Sequence, residues 1–101
     1  MHILLIEDNT SIIESLSYSL SKAGYIIDYT KSIKETEKYL SIKTPNIILL
    51  DVTLPDGTGF SLYANIIKDK QIPTIFLTAK DSENDIVKGL KLGAEDYITK
   101  P

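Results

Sequence analysis

Five short apolar runs recur along the chain, and stretches with helical spacing separate them. The runs at 2–6 and 46–50 are continuously apolar, which is typical of parallel strands buried on both faces. The run at 25–29 alternates more between apolar and polar residues and predicts a less buried strand near an edge of a sheet. Two further strands are predicted at 73–77 and 95–98.

Four helices are predicted in the intervening stretches, because apolar residues recur there at helical spacing. The first is expected to begin at a capping box formed by Ser11 and Glu14 and to end at Gly24. Ser32 and Glu35 have the same spacing and predict the start of the second helix. The apolar residues of the third and fourth helices are Leu62, Tyr63, Ile66, Ile67, Ile86, Val87 and Leu90.

The alternation of strands and helices predicts a doubly wound α/β domain with a five-stranded parallel sheet and right-handed crossovers. At 101 residues the chain has room for one such domain. Four helices are too few to cover both faces of the sheet, so apolar surface near the last strands is expected to be open to water. We therefore expect the domain, residues 1–101, to stop before a fifth helix and to be marginally stable or self-associating.

Composition narrows the classes of function. The net charge is −3 and all 11 basic residues are lysines, so nothing favours direct nucleic acid binding by this domain. The absence of cysteine excludes disulfides and thiolate metal sites and fits a reducing compartment. The N-terminal apolar run is too short for a signal peptide and lacks a basic flank, and no stretch approaches membrane-spanning length. We expect a cytoplasmic protein with no membrane partner.

Polar residues of reactive types follow four of the predicted strands. The carboxyl ends of parallel strands meet at one edge of an open sheet, where such folds place their chemistry. Three neighbouring carboxylates repel one another unless a cation neutralises them, and all-oxygen ligands suit Mg²⁺ bound together with a phosphate group. The residues at these strand ends are Glu7, Asp8, Asp51, Thr78 and Lys100.

Asp51 is the best candidate nucleophile, because it stands alone at the end of the most apolar strand whereas the other two acids are adjacent in sequence. A carboxylate can attack phosphorus and form an acyl phosphate when a metal and cationic donors hold the charge of the transferring group. The backbone carbonyls of Val52 and Thr53 can complete the metal shell. Thr78 and Lys100 are expected to contact the phosphoryl oxygens.

Each of these residues also has an ordinary structural interpretation. Glu7 and Asp8 could serve the start of the first helix, and Asp51 could be a turn residue. Thr78 could be a plain strand-end hydroxyl and Lys100 a solvated lysine. All of these interpretations would have to hold together at four strand ends, so the convergence favours a site.

Four motifs resemble the receiver domain of bacterial two-component response regulators, and the resemblance covers the whole chain. The last motif is most similar to the subfamily that carries a C-terminal winged-helix DNA-binding domain, so control of transcription through such a domain is expected by analogy. The motifs are the acidic pair in LLIEDN, Asp51 with Pro55 and Gly59 in DVTLPDGTG, LTAKD around Thr78, and GLKLGAEDYITKP ending in Lys100-Pro101.

The resemblance implies that Asp51 accepts a phosphoryl group from a histidine kinase in the presence of Mg²⁺. Asp8 would bind the metal directly and Glu7 mainly through water. The Thr53 carbonyl would be a further ligand. The strand order 2-1-3-4-5 is implied in the same way.

The resemblance also implies a conformational switch. Thr78 would close on the phosphate, Lys100 would pair with it, and Tyr97 would rotate inward as Thr78 moves. An aromatic residue in a terminal strand is otherwise most often packing. The Lys100–Pro101 bond is expected to be cis. Active receivers of this subfamily pair through helix four, the last strand and helix five, so a homodimer is a further expectation that the early stop weakens.

Thr53 and Lys80 lie two residues past Asp51 and Thr78, where side chains in the family flank the path of the hydrolytic water. We expect them to set the lifetime of the phosphoryl group. Two other functions stay open. A phosphatase with an aspartate nucleophile would usually carry a second aspartate at the position of Thr53. A receiver-like binding module that is never phosphorylated would not need the complete set of residues found here.

Overall fold

The structure, a computed structural model, describes residues 1–78 and 96–99, with Thr78 and 96–99 described as backbone. The main sheet consists of five parallel strands: β1 His2–Ile6, β2 Ile26–Thr30, β3 Ile47–Asp51, β6 Thr74–Thr78 and β7 Asp96–Thr99. An antiparallel hairpin between β3 and β6 consists of β4 Thr53–Leu54 and β5 Gly57–Thr58. The helices are α1 Thr10–Lys22, α2 Ile33–Leu40 and α3 Gly59–Leu62, the last continued by a π-helical turn at Tyr63–Ile67 and a 3-10 turn at Lys68–Lys70.

The strands follow the spatial order β2-β1-β3-β6-β7. This confirms the expected order 2-1-3-4-5, because the hairpin is separate from the main sheet. Ile6 lies beside Thr30 on one side and beside Leu50 on the other, and Asp51 lies beside Leu77. The carboxyl ends of four strands therefore reach the same edge of the sheet.

Strands β1 and β3 are buried on both faces of the sheet, which explains their continuous apolar sequences. Because successive side chains of a strand point to opposite faces, Leu4 and Leu50 belong to one core cluster and Leu5 and Leu49 to another. The first cluster contains residues of α2 and α3, and the second contains residues of α1. Helices thus cover both faces, as predicted for a doubly wound sheet.

The edge strand β2 is less buried, as its alternating sequence predicts. Its residues Ile26 and Tyr29 are each 54% exposed. Helix α2 begins where the sequence indicates, since the side chain of Ser32 accepts a hydrogen bond from the Glu35 N–H at 3.1 Å.

The predicted capping box of α1 is wrong. Asn9, which has extended backbone angles, is the N-cap, and its Oδ1 accepts a hydrogen bond from the Ile12 N–H at 3.0 Å. The helix therefore begins earlier than expected, and Ser11 already lies within it. The C-terminal end is confirmed, because Gly24 follows the helix with a positive φ of 98° that glycine adopts without a Cβ penalty.

The segment after Asp51 is more ordered than a loop. The sequence indicates turn residues there, but the structure pairs Thr53 with Thr58 and Leu54 with Gly57 in the short hairpin. The third helix is confirmed, although it departs from α-helical geometry after Leu62. The predicted fourth helix lies outside the described residues.

An apolar groove of about 270 Å³ opens on the sheet face that carries α1. Within the described part of the chain, no helix is both long enough and apolar enough to cross a membrane. The groove is lined by Met1, Ile3, Leu16, Leu20, Tyr25, Ile47, Leu49, Ile75 and Leu77.

Candidate functional site

Three carboxylates that are far apart in sequence meet at the carboxyl edge of the sheet. One oxygen from each of Glu7, Asp8 and Asp51 lies within 4.8 Å of the others, an arrangement that could hold a metal ion. The sheet register explains this proximity. Ile6 and Leu50 are direct neighbours on β1 and β3, so the next residues of both strands emerge side by side.

Two of these acids are buried. Glu7 is 0% exposed and Asp51 is 2% exposed, whereas Asp8 is exposed to solvent. Carboxylates buried close together are costly unless hydrogen bonds and a cation compensate their charge. Carboxylate oxygens are ligands suited to hard cations such as Mg²⁺. The cluster therefore has the composition and spacing of a cation site that is open on one side.

Glu7 is held in place by the backbone that follows it. Its Oε2 accepts hydrogen bonds from the N–H groups of Asp8 and Asn9, at 3.0 and 3.1 Å. Asn9 in turn caps α1, so the start of this helix does not depend on the side chain of Asp8. The backbone bonds to Glu7 come from residues before α1, so they do not support the interpretation of the acidic pair as a helix cap, and Asp8 is exposed beside the other two acids.

Asp51 ends β3, and the segment behind it is packed tightly against its backbone. Its Oδ1 accepts a hydrogen bond from the Thr53 N–H at 3.3 Å, and the Gly59 N–H donates to the Val52 carbonyl at 2.7 Å. A Cβ at position 59 would collide with the carbonyl oxygen of Asp51. The absence of a side chain at Gly59 is therefore what lets the start of α3 lie against the strand end that carries Asp51.

Asp56 is a residue whose role the sequence did not reveal, since the pattern indicates only a turn. Its Oδ1 and Oδ2 accept hydrogen bonds from the N–H groups of Ile33 and Lys34, at 2.8 and 3.0 Å. The bond from Ile33 is the main cause that holds the pKa of Asp56 below its ordinary value, followed by the smaller opposing effect of desolvation and by the bond from Lys34. No local signal could have shown this, because the partners lie 22 and 23 residues earlier.

The remaining predicted residues are described in part. Thr78 ends β6 beside Thr99 of β7, one position beyond the neighbour of Asp51, so its backbone lies at the same edge. Tyr97 lies opposite Phe76 in the register of β6 and β7. The side chains of Thr78 and Tyr97 lie outside the description, as do Lys80 and the Lys100–Pro101 bond. Their roles stay predictions.

A doubly wound parallel sheet with the strand order 2-1-3-4-5 has the flavodoxin-like topology, and in this chain acidic residues lie at its carboxyl edge. Within that topological class, the family model described as response regulator receiver domain matches residues 3–101. The chain belongs to that family and is a receiver domain of a two-component response regulator.

Individual relatives agree with this assignment. The transcriptional regulatory protein HprR of Escherichia coli strain K12 is 43% identical over 102 residues, which cover 100% of this chain and 45% of HprR. The chain thus spans less than half the length of this curated relative.

Two solved structures show the same fold. The BeF3-activated N-terminal receiver domain of Klebsiella pneumoniae RstA is 27% identical with a TM-score of 0.92, covering 99% of this chain and 86% of that chain. The Mn(2+)-bound form of response regulator Rcp1 is 27% identical with a TM-score of 0.87, covering 99% of this chain and 81% of that chain.

Proposed function

We propose that this chain is a phosphorylation switch in which Asp51 accepts a phosphoryl group from a histidine kinase with the help of Mg²⁺. The observation that carries the proposal is the meeting of Glu7, Asp8 and Asp51 within 4.8 Å at the carboxyl edge of the sheet. Membership of the receiver family and the Mn(2+)-bound structure of Rcp1 support the binding of a divalent cation.

The three acids have different relations to the cation. Asp8 is exposed and is proposed to bind Mg²⁺ directly. Glu7 already uses one oxygen for two backbone N–H groups, which favours contact mainly through water. Asp51 and the backbone carbonyl of Thr53 are the further proposed ligands. The bound cation would neutralise the charge that accumulates as phosphate approaches.

Asp51 is the proposed nucleophile because its strand is central and its carboxylate is nearly buried. One of its oxygens attacks phosphorus, the bond between phosphorus and the kinase histidine breaks, and the imidazole leaves. The product is an acyl phosphate. Thr78 and Lys100 are proposed to contact the phosphoryl oxygens, since the backbone of Thr78 lies at the same sheet edge.

The proposed output is conformational. Thr78 would move toward the phosphate and Tyr97 would rotate inward, changing the surface of helix four and the last strand, where a homodimer could form. Thr53 and Lys80 are proposed to set the lifetime of the phosphoryl group. Transcription would then be controlled in the cytoplasm through a DNA-binding domain, an extension supported by HprR, a transcriptional regulatory protein more than twice the length of this chain.

Mass spectrometry after treatment with acetyl phosphate and Mg²⁺ tests the proposal. The parent should gain one phosphoryl group, whereas Asp51→Asn should gain none, because an amide cannot act as the nucleophile. Equal labelling of both proteins would show that a residue other than Asp51 accepts the phosphoryl group. A parent that does not label would favour a binding module, and steady release of phosphate from a small phosphoester would favour a phosphatase.

A further inference from the structure

Asp56 joins the segment behind the proposed phosphoacceptor to a distant helix. It lies at the turn of the β4–β5 hairpin, and both of its carboxylate oxygens accept hydrogen bonds from the first turn of α2. The N–H donors are Ile33 at 2.8 Å and Lys34 at 3.0 Å. The hairpin is therefore attached to α2 through one side chain.

The backbone N–H groups at the start of α2 favour contact with a carboxylate. The first N–H groups of a helix have no partner within the helix and carry partial positive charge, so a carboxylate is favoured there. The hydroxyl of Ser32 accepts the bond from the Glu35 N–H at 3.1 Å, and the carboxylate of Asp56 accepts the bonds from Ile33 and Lys34. Hydrogen bonds to a charged acceptor are stronger than neutral ones.

The other end of the hairpin lies at the acidic cluster. Thr53 pairs with Thr58 in the hairpin, and the Thr53 N–H donates to Asp51 Oδ1 at 3.3 Å. The turn also lies close to α2, since a Cβ on Gly57 would come within 2.6 Å of the Cδ1 of Ile33. The hairpin is thus fixed at both ends, by Asp51 at its base and by α2 at its turn.

We propose that Asp56 is a positioning residue for the metal site. By holding the hairpin on α2, it keeps the Thr53 carbonyl in the place where it can bind the cation next to Asp51. This inference rests on the proposed function, because it needs Mg²⁺ at the acidic cluster. Without the attachment, the hairpin samples more positions and the carbonyl spends less time in the binding geometry, so the affinity for Mg²⁺ falls.

Calorimetric titration of Mg²⁺ into the intact protein tests this, with the variants Asp56→Ala, Asp56→Asn and Ser32→Ala. Loss of groups that orient a metal ligand typically weakens binding about tenfold or more, and we expect about tenfold for Asp56→Ala. Asp56→Asn keeps one acceptor oxygen and should fall between Asp56→Ala and the parent. Ser32→Ala removes a cap from the same helix turn without touching the hairpin, so it should bind Mg²⁺ like the parent.

Four results would overturn the inference. Parent-like affinity in Asp56→Ala would show that the hairpin keeps its place unaided, and an equal loss in Ser32→Ala would assign the effect to α2 alone. If Asp56→Ala does not fold, Asp56→Asn decides, and parent-like binding by that variant has the same meaning. A parent that binds no Mg²⁺ would overturn the proposed metal site as well, whereas the other outcomes leave the proposed function intact.

Discussion

Replacing Gly59 by alanine should damage both the fold and the acidic site. A Cβ there would collide with the Asp51 carbonyl oxygen, and it would lie 3.0 Å from the Asp51 carbonyl carbon and 3.2 Å from the Leu50 Cγ. The nearest obstacles are backbone atoms of a central strand, so they cannot rotate away as a flexible side chain could. Overpacking of a core typically costs 1–3 kcal/mol, and we expect about 3 kcal/mol here.

Thermal unfolding followed by circular dichroism measures the first effect. For a domain of this size, about 1 kcal/mol lowers Tm by roughly 4–8 °C, so Gly59→Ala should melt roughly 12–24 °C below the parent. The collision also displaces the backbone of Asp51, so labelling by acetyl phosphate should slow at temperatures where the variant is still folded.

Gly24→Ala is the matched control. Its φ of 98° makes an alanine strained, but nothing lies within 4 Å of the added Cβ. A left-handed non-glycine residue costs about 1–2 kcal/mol, so Tm should fall while labelling of Asp51 stays as in the parent. A Gly59→Ala protein that melts and labels like the parent would refute the steric reasoning.

Three further perturbations have distinct expected outcomes. Phe76→Ala removes a fully buried ring and should cost about 3–5 kcal/mol in urea unfolding, whereas the exposed Tyr29→Ala should change stability by less than about 0.5 kcal/mol. Asp8→Asn should abolish Mg²⁺ binding in calorimetry without lowering Tm, because Asp8 is exposed; retained binding would exclude it as a ligand. Burial and the hydrogen bond to Asp28 raise the pKa of Tyr39 from 10.0 to about 12. The contribution of this tyrosine to the free energy of unfolding is complete below pH 10 and is lost as the pH rises through about 12. Between these pH values the free energy of unfolding should therefore fall less for Tyr39→Phe than for the parent. Identical pH dependence in the two proteins would contradict the assignment.

The pattern of apolar strands predicted most of the fold because two physical requirements, burial of apolar strands and crossovers between parallel strands, leave few possible arrangements. A continuous apolar run such as β3 is stable only between two covered faces, and parallel strands need helical crossovers. The acidic cluster was predictable for the same reason, because Glu7 directly follows β1, Asp51 ends β3, and the fold places these two strands side by side.

The predictions failed where two residues could cap the same helix and where strands were too short to show a pattern. Ser11 with Glu14 has good spacing for a capping box, but Asn9 lies closer to the end of β1 and caps the helix first. The hairpin after Asp51 escaped prediction because two-residue strands leave almost no periodic signal.

The amino-acid sequence alone determined which strands are central, which acids follow them and which family the motifs resemble, because these properties depend on the order of residue types. Only the tertiary structure showed that Asp56 holds α2 and that Gly59 must lack a side chain beside Asp51. Both contacts depend on distances between segments that are brought together by sheet register and helix packing. Such distances are set when the whole domain folds, so no local pattern contains them.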